Sequence, residues 1–252
     1  MTIENQHDLD AILAIGRIVA EICDAMLASV EPGMTTAELD ELGGQMLSRL
    51  GATSAPMSCY DFPGFTCISV NEEAAHGVPG ARVIGAGDIV NVDVSAERDG
   101  YFADTGGTTV VAPVAEANAS LCGAAELALE RALAEVRAGA RINRIGKTIE
   151  RVAKSHRLKV IENLAGHGLG RSLHEAPESI VGFYDRKDRR RLGYGQVIAV
   201  EPFLSTRSTF VSETDDGWTL DGDPDSRSAQ FEHTVIVTDG APIVATQGRT
   251  AA

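Results

Sequence analysis

Positive charge is scarce in this chain: 22 Lys and Arg stand against 36 Asp and Glu, a net charge of −14. That balance argues against a general nucleic-acid binder, because phosphate contacts need clustered cations. The short basic run from Arg186 to Arg191 is offset by Asp185 and Asp188 and reads as a solvated loop. Long apolar runs are also missing. None approaches the roughly 18 to 20 residues of a membrane span, and the opening MTIENQHDLD lacks the positive flank and apolar stretch of a secretory signal. The four cysteines, Cys23, Cys59, Cys67 and Cys122, form no CxxC pair, and two of them sit in helical patterns as small core hydrophobes. No Ser/Gly linker or charge block divides the sequence. A cytoplasmic enzyme with reduced thiols, folded as one domain over residues 1–252, is the expectation.

What is present is an ordinary globular balance, 44% hydrophobic and 23% charged, in 252 residues, enough for a substantial core. Ile12, Ile15, Val19, Ile22 and Met26 step by three and four, which predicts an amphipathic helix ended by Pro32 and Gly33. Thr35 and Thr36 with Glu38 form an N-cap signal for a second helix carrying Leu39, Leu42, Met46 and Leu50, stopped by Gly51. A loop rich in Pro and Gly then leads to a strand-like run, Thr66 to Asn71. Cys122, Ala125, Leu129, Leu133 and Val136 predict a third helix. Ile142, Ile145, Ile149 and Val152 predict a fourth, beyond Gly139. Strand-like runs follow around Val197 to Leu204, Phe231 to Val237 and Ile243 to Ala245. The two halves repeat in element order without a residue-level repeat, which suggests an α+β fold with two similar halves.

Acidic residues and histidines recur in the strand-like parts. In NVDVSAERDGYFADT, Asn91 to Thr105, Val90, Val92 and Val94 alternate with Asn91, Asp93 and Ser95, so one face is apolar and the other polar. Arg98, Asp99 and Gly100 supply a turn. In a tight hairpin Asp93 and Asp104 then share a face as direct or diagonal neighbours, roughly 5 to 8 Å apart at Cβ. Two bare carboxylates that close repel, and a shared cation or proton resolves the conflict; an exposed polar face gives the same pattern. LAGHGLGRSLHEAP, Leu164 to Pro177, sets His167 between glycines that leave room for a ligand, with His174 seven residues on. IAVEPF and SAQFEHTVIV place Glu201 and Glu232 inside apolar strands, where an unpaired acid is costly. Carboxylates with histidine in this number point to a divalent metal centre. His7 and His156 read as surface residues, and His233, alternating away from Glu232, as structural.

Five segments in order, EEAAHGVPG, NVDVSAERDGYFADT, AGHGLGRSLHEAP, IAVEPF and SAQFEHTVIV, resemble the type I methionine aminopeptidases, and the likeness runs over nearly the whole chain. The resemblance implies the pita-bread fold, two pseudo-symmetric halves with antiparallel sheet flanked by helices. It makes Asp93, Asp104, His167, Glu201 and Glu232 the ligands of two divalent ions (Mn, Fe, Co or Zn), with Asp104 and Glu232 bridging. It implies that a hydroxide activated there attacks the first peptide bond, that Glu201 relays protons, and that His76 and His174 contact the reacting amide and oxyanion. Cys59, Phe62, Cys67 and Trp218, with Leu173 nearby, become the methionine side-chain pocket. The implied partners are N-terminal Met peptides and nascent chains near the ribosome. Neither nucleic acid nor membrane is an implied direct partner, and the enzyme is expected to be a monomer.

The chain departs from the commonest family pattern at several places. Tyr60 stands where a histidine is usual, Cys59 where an aromatic is usual, and Ala199 where a threonine is common. Gly106 and Gly107 follow Asp104–Thr105 where a serine and a basic residue are typical. None removes an implied ligand, but side-chain specificity is left open. A same-fold aminopeptidase acting before proline or on small dipeptides, and a non-catalytic binding relative, are the alternatives.

Overall fold

The computed structural model describes residues 1–248. The first half runs α1 (Gln6–Ser29), α2 (Thr36–Leu50), β1 (Thr53–Ser54), α3 (Ala55–Tyr60), β2 (Cys67–Val70), β3 (Glu73–Ala75), β4 (Ile89–Arg98) and β5 (Tyr101–Val110). The second half opens with α4 (Glu116–Leu133) and α5 (Asn143–Ser155), then β6 (Lys159–Val160), β7 (Ala165–Gly168), β8 (Glu175–Val181), β9 (Val197–Val200) and β10 (Phe203–Ser205). It closes with β11 (Ser212–Glu213), β12 (Leu220–Asp221), β13 (Ser228–Gln230), β14 (His233–Ile236) and β15 (Ile243–Val244). Each half is therefore a helix pair followed by antiparallel strands, as the element order in the sequence suggested.

The helices form where the periodicity places them. On α1, Ile12, Ile15, Val19, Ile22 and Met26 are all at most 1% exposed; each such side chain contributes roughly 1.5 to 3 kcal/mol by leaving water. The α2 start is a full capping box: Thr35 accepts from the Glu38 backbone N–H, and Glu38 reaches back to the Thr35 N–H. Gly51 ends α2 in the left-handed region, at φ 69°. The third helix differs from expectation. It ends at Leu133, short of Val136; Ala125 and Leu129 are buried as expected, together with Leu121, Ala124, Ala128 and Ala132, while Cys122 and Leu133 are only partly covered. α3 was not foreseen. Ser54 caps it and Pro56 sits in its first turn, where a missing N–H costs nothing.

Side chains of α1 and α2 share one core with Val90, Val92, Val94 and Ala96 of β4, and those of α4 and α5 share a second with Ile198, Val200 and Val235 of β9 and β14. The β4 alternation thus turns its valines to the helices and Asn91, Asp93 and Ser95 to the opposite face. The four-stranded sheet has the order β1-β4-β2 with β5 also on β4, and the five-stranded sheet runs β15-β14-β9-β7-β8. Asp99 and Gly100 both have positive φ, 56° and 78°, the tight turn that fits the twist of a two-residue hairpin. The β4–β5 register pairs Asp93 with Gly106 and Ser95 with Asp104, so the two aspartates are diagonal neighbours on one face.

A polar seam joins the halves. The Asp104 N–H donates to Thr234 Oγ1 at 2.9 Å, and that hydroxyl donates back to the Asp104 carbonyl at 2.7 Å. Thr105 Oγ1 donates to the Glu232 carbonyl at 2.8 Å, and the Glu232 N–H to the Gly106 carbonyl at 2.9 Å. Gly106 leaves room for the Gln230 amide: a Cβ would lie 2.3 Å from Gln230 Oε1 and displace it. The seam locks the hairpin acids against the second-half strands.

Candidate metal centre and its cleft

Neither glutamate lies inside a strand, contrary to the sequence expectation. Glu201 falls between β9 and β10, and Glu232 between β13 and β14. β9 and β14 pair with each other in the five-stranded sheet, whereas β10 and β13 pair in a separate three-stranded sheet. Each glutamate thus sits where the chain passes from one sheet to the next. A break in pairing at that point turns both side chains toward the seam rather than across a sheet face.

There they meet the hairpin acids. His167 Nε2 lies 3.5 Å from Glu201 Oε1 and 3.9 Å from Asp104 Oδ2. One ligand atom each from Asp104, His167 and Glu232 falls within 4.8 Å of the other two. His167 Nδ1 is 3.0 Å from the Gly168 carbonyl, which can only accept. The ring proton therefore sits on Nδ1 and the Nε2 lone pair faces the carboxylates, the tautomer a metal ligand needs. Burial pushes His167 down to about 4, so it is neutral at pH 7.

Burial, then mutual repulsion, raises the carboxylates. Asp104 moves up to about 6, chiefly by desolvation. Asp93, Glu201 and Glu232 are each held well above the usual carboxylate range by desolvation first and then by their acidic neighbours. Gln230 Nε2 donates to Glu232 Oε2 at 2.9 Å, and its Oε1 accepts from Asn91 Nδ2 at 2.8 Å, fixing which way the amide points. Yet Asp104 Oδ1 and Glu232 Oε1 are buried with no partner. Buried acceptors left unmatched are costly. Converging carboxylate oxygens, a bare imidazole nitrogen and two orphaned acceptors suit one or more divalent cations.

The acids line one wall of a cleft of about 440 Å³ that also holds Tyr60, Phe62, Cys67, His76, Leu173, His174 and Trp218. Phe62 meets Trp218 edge-on with centroids 5.3 Å apart, forming an apolar corner. Asp216 secures that loop, accepting from the Trp218 and Thr219 N–H groups, both at 2.8 Å. His174 stands 4.2 Å from His167 between ring centroids, and its Nδ1 is 2.7 Å from the Tyr60 hydroxyl. His76, at the exposed rim, has φ 54°, a strained conformation for a residue with a side chain. Glu232 lies beneath the floor at 1% exposure.

Cys59 is the sequence-selected pocket residue that the cleft does not use. It is exposed, and Pro56, Tyr60 and Phe62 form the wall at that segment instead. Because α3 turns Cys59 outward, the residue expected as a departure, Tyr60, faces the site. The glycines around His167 also serve another purpose than ligand access. A Cβ on Gly166 would lie 2.4 Å from the Ala199 carbonyl oxygen, and one on Gly168 2.3 Å from that of Ala176. Gln230 was missed by the sequence reading, its signal being a polar residue two positions before Glu232, and Asn91 was placed on the polar hairpin face without a role at the site. His7 and His156 are exposed, and His233 Nδ1 pairs with Thr246 Oγ1 at 2.9 Å, away from the acids.

Comparison with known proteins gives the same picture over the whole chain. The model of metallopeptidase family M24 matches residues 10–239. A methionine aminopeptidase of Staphylococcus epidermidis is 46% identical over 248 residues, 98% of this chain and 99% of that one. Methionine aminopeptidase 2 of Bacillus subtilis is 45% identical, covering 98% of this chain and 100% of its own. The crystal structure of a methionine aminopeptidase from Thermotoga maritima superposes with a TM-score of 0.93 at 30% identity, over 98% of this chain and 100% of that one. The fold is thus the pita-bread fold expected, the chemistry is that of a divalent-metal-dependent hydrolase, and the chain belongs to metallopeptidase family M24, alongside its methionine aminopeptidases.

Proposed function

We propose that this enzyme removes N-terminal methionine from peptides and nascent proteins, acting as one catalytic domain. The observation that carries the reading is the pair of orphaned, buried oxygens of Asp104 and Glu232 facing the His167 lone pair in an apolar-walled cleft. Asp93, Asp104, His167, Glu201 and Glu232 would hold two divalent ions (Mn, Fe, Co or Zn). Four carboxylates then balance the charge of two such ions. When bound, the ions would polarise the peptide carbonyl and lower the pKa of water at that position.

The chain's own groups do the rest. Glu201, buried beside His167, takes a proton from the attacking water and passes it to the departing amine. His174, oriented by Tyr60, donates to the developing oxyanion, and His76 at the rim holds the scissile amide. Phe62, Cys67, Leu173 and Trp218 surround the substrate side chain with apolar and polarisable atoms that suit a thioether. We place the enzyme in the cytoplasm as a monomer; no helix among the described residues is long and apolar enough to cross a membrane.

The test is a metal-stripped preparation reloaded singly with Mn, Co, Fe or Zn and offered Met-Ala-Ser, Leu-Ala-Ser and Xaa-Pro tripeptides. Metal-dependent release of methionine, with the others slow, supports the reading. Preferential cleavage before proline would move the specificity, and no cleavage by a metal-loaded, folded protein would sink the enzyme reading.

A further inference from the structure

Leu173 and His174, which both face the cleft, stand at the tip of the loop that runs from Gly168, the end of β7, to Glu175, the start of β8. Neither makes a backbone–backbone hydrogen bond among the described residues. The next side chain closes the tip in their place. Glu175 turns back, and its Oε1 accepts the Arg171 N–H at 2.6 Å and the Ser172 N–H at 2.8 Å. That shuts a ring from Arg171 to Glu175 with Leu173 and His174 at its apex. The other oxygen, Oε2, lies 2.5 Å from the Met1 ammonium, which also donates to the Leu169 carbonyl at 2.7 Å. Burial raises the Glu175 carboxyl, but the ammonium and the two N–H donors outweigh it and hold the group below its ordinary value, so it is ionised at neutral pH.

The base of the ring is tied to the first half of the molecule. Arg171 lies over Tyr101, 3.6 Å from the ring centroid, and its Nη2 donates to the Tyr101 hydroxyl at 2.6 Å and to Asp8 Oδ1 at 3.1 Å. Asp8 is buried and takes the Tyr101 O–H at 2.7 Å. The Phe102 N–H donates to the Gly170 carbonyl at 2.9 Å. Beyond Ser172 the support thins: apart from Glu175, the hydrogen bond to the tip among the described residues is that of Tyr60 to the His174 ring. Arg171 and Ser172 are exposed, so water can replace the Glu175 oxygen on their N–H groups. Loss of the carboxylate therefore loosens the tip without unfolding the protein.

We propose that Glu175 is a positioning residue for the cleft: by closing the Arg171–Glu175 ring it aims His174 at the reacting group and holds Leu173 against the substrate side chain. Glu175 does not itself line the cleft, so it acts through its neighbours, and the assignment rests on the methionine-releasing activity proposed above. A carboxylate suits the task because one oxygen can accept two N–H groups while the other meets a cation. A displacement of about 1 Å in a group that contacts the transition state costs about 100-fold in rate, which makes the fixing of an otherwise free tip worth a buried ion pair.

Two variants separate ring closure from charge. Glu175→Gln keeps an oxygen for the two N–H groups and gives up the charge; Glu175→Ala gives up both. Each intact protein, loaded with Mn, is assayed on Met-Ala-Ser and Leu-Ala-Ser, and its Mn affinity is measured by titration calorimetry. Metal-free protein is read by NMR of its histidine rings, the His174 signal being identified by its loss in His174→Gln. Glu175→Ala should lower kcat on Met-Ala-Ser by about 10- to 100-fold, narrow the preference for Met over Leu, and shift or split the His174 signal. Its Mn affinity should stay that of wild type, because the five candidate ligands are untouched. Glu175→Gln should recover most of the rate and return the His174 signal close to its wild-type position. An Ala variant as fast as wild type, an unmoved His174 signal, equal losses in the two variants, or a fall in Mn affinity that accounts for the lost rate would each overturn the positioning role. Wild type that releases no methionine would sink the proposed activity and the positioning role with it; the His174 signal, read without substrate or metal, keeps that failure apart from a failure of ring closure alone.

Discussion

Replacing Asp104 by Asn should stabilise the metal-free protein while abolishing turnover. The Asp104 carboxyl, 7% exposed, is raised from 3.8 to about 6, chiefly by burial. A carboxyl raised in the folded state opposes folding wherever it is ionised, by about 1.36 kcal/mol per pH unit between its unfolded and folded values. At pH 7.5 that cost is fully present, at about 3 kcal/mol. It fades as pH falls below about 6, to roughly half by pH 5, and is gone well below 3.8. Asn has nearly the same shape and no charge, and its amide can donate to the neighbouring acids. In chelator, the variant should therefore melt about 6 to 12 °C above wild type at pH 7.5, with a smaller gap at pH 5. Divalent metal at a hundred times its Kd should raise wild type by about 2.7 kcal/mol and the variant by much less, narrowing or inverting the order. Differential scanning calorimetry with and without chelator at the two pH values reads all of this. A metal-free variant no more stable than wild type at pH 7.5, or a gap that does not shrink at pH 5, would refute the picture of an electrostatically frustrated site awaiting cations.

Three further outcomes follow from other contacts. Tyr60→Phe removes the hydroxyl 2.7 Å from His174 Nδ1 and should lower kcat by about 10- to 100-fold, as loss of an orienting partner does, with KM nearly unchanged in steady-state peptide assays; an unaltered kcat would remove Tyr60 from the mechanism. Gly168→Ala forces a Cβ to 2.3 Å from the Ala176 carbonyl oxygen, and urea titration should show a loss of about 1 to 3 kcal/mol or more. His233, pushed down to about 4 by burial, stays neutral in the fold while the unfolded chain takes up a proton below about 6.5. Its contribution is present above pH 6.5 and lost as pH falls toward 4, so His233→Gln should flatten the acid side of the stability profile measured by urea titration.

Much of this protein was legible in one dimension because the signals were periodic or local. The α1 stripe, the Thr35–Glu38 capping box and the Asp99–Gly100 turn each depend on neighbours within a few residues, so propensity and spacing place them. The hairpin alternation even placed Asp93 and Asp104 on one face. Asp93, Asp104, Glu201 and Glu232 stood out as acids in strand-like runs that demand a compensating partner, and His167 by its flanking glycines; the resemblance to the methionine aminopeptidases joined them into one ligand set.

What the linear pattern could not show is set by contacts between distant segments. Whether Glu201 and Glu232 sit in strands or between them depends on sheet pairing, in which β9 and β10 join different sheets. That Tyr60 rather than Cys59 faces the cleft follows from a six-residue helix too short to carry a periodic signal. The glycines flanking His167 are needed because β8 and β9 backbones lie against them, a constraint invisible without those strands. Sequence determines which groups must be compensated; the tertiary structure decides what stands close enough to compensate them.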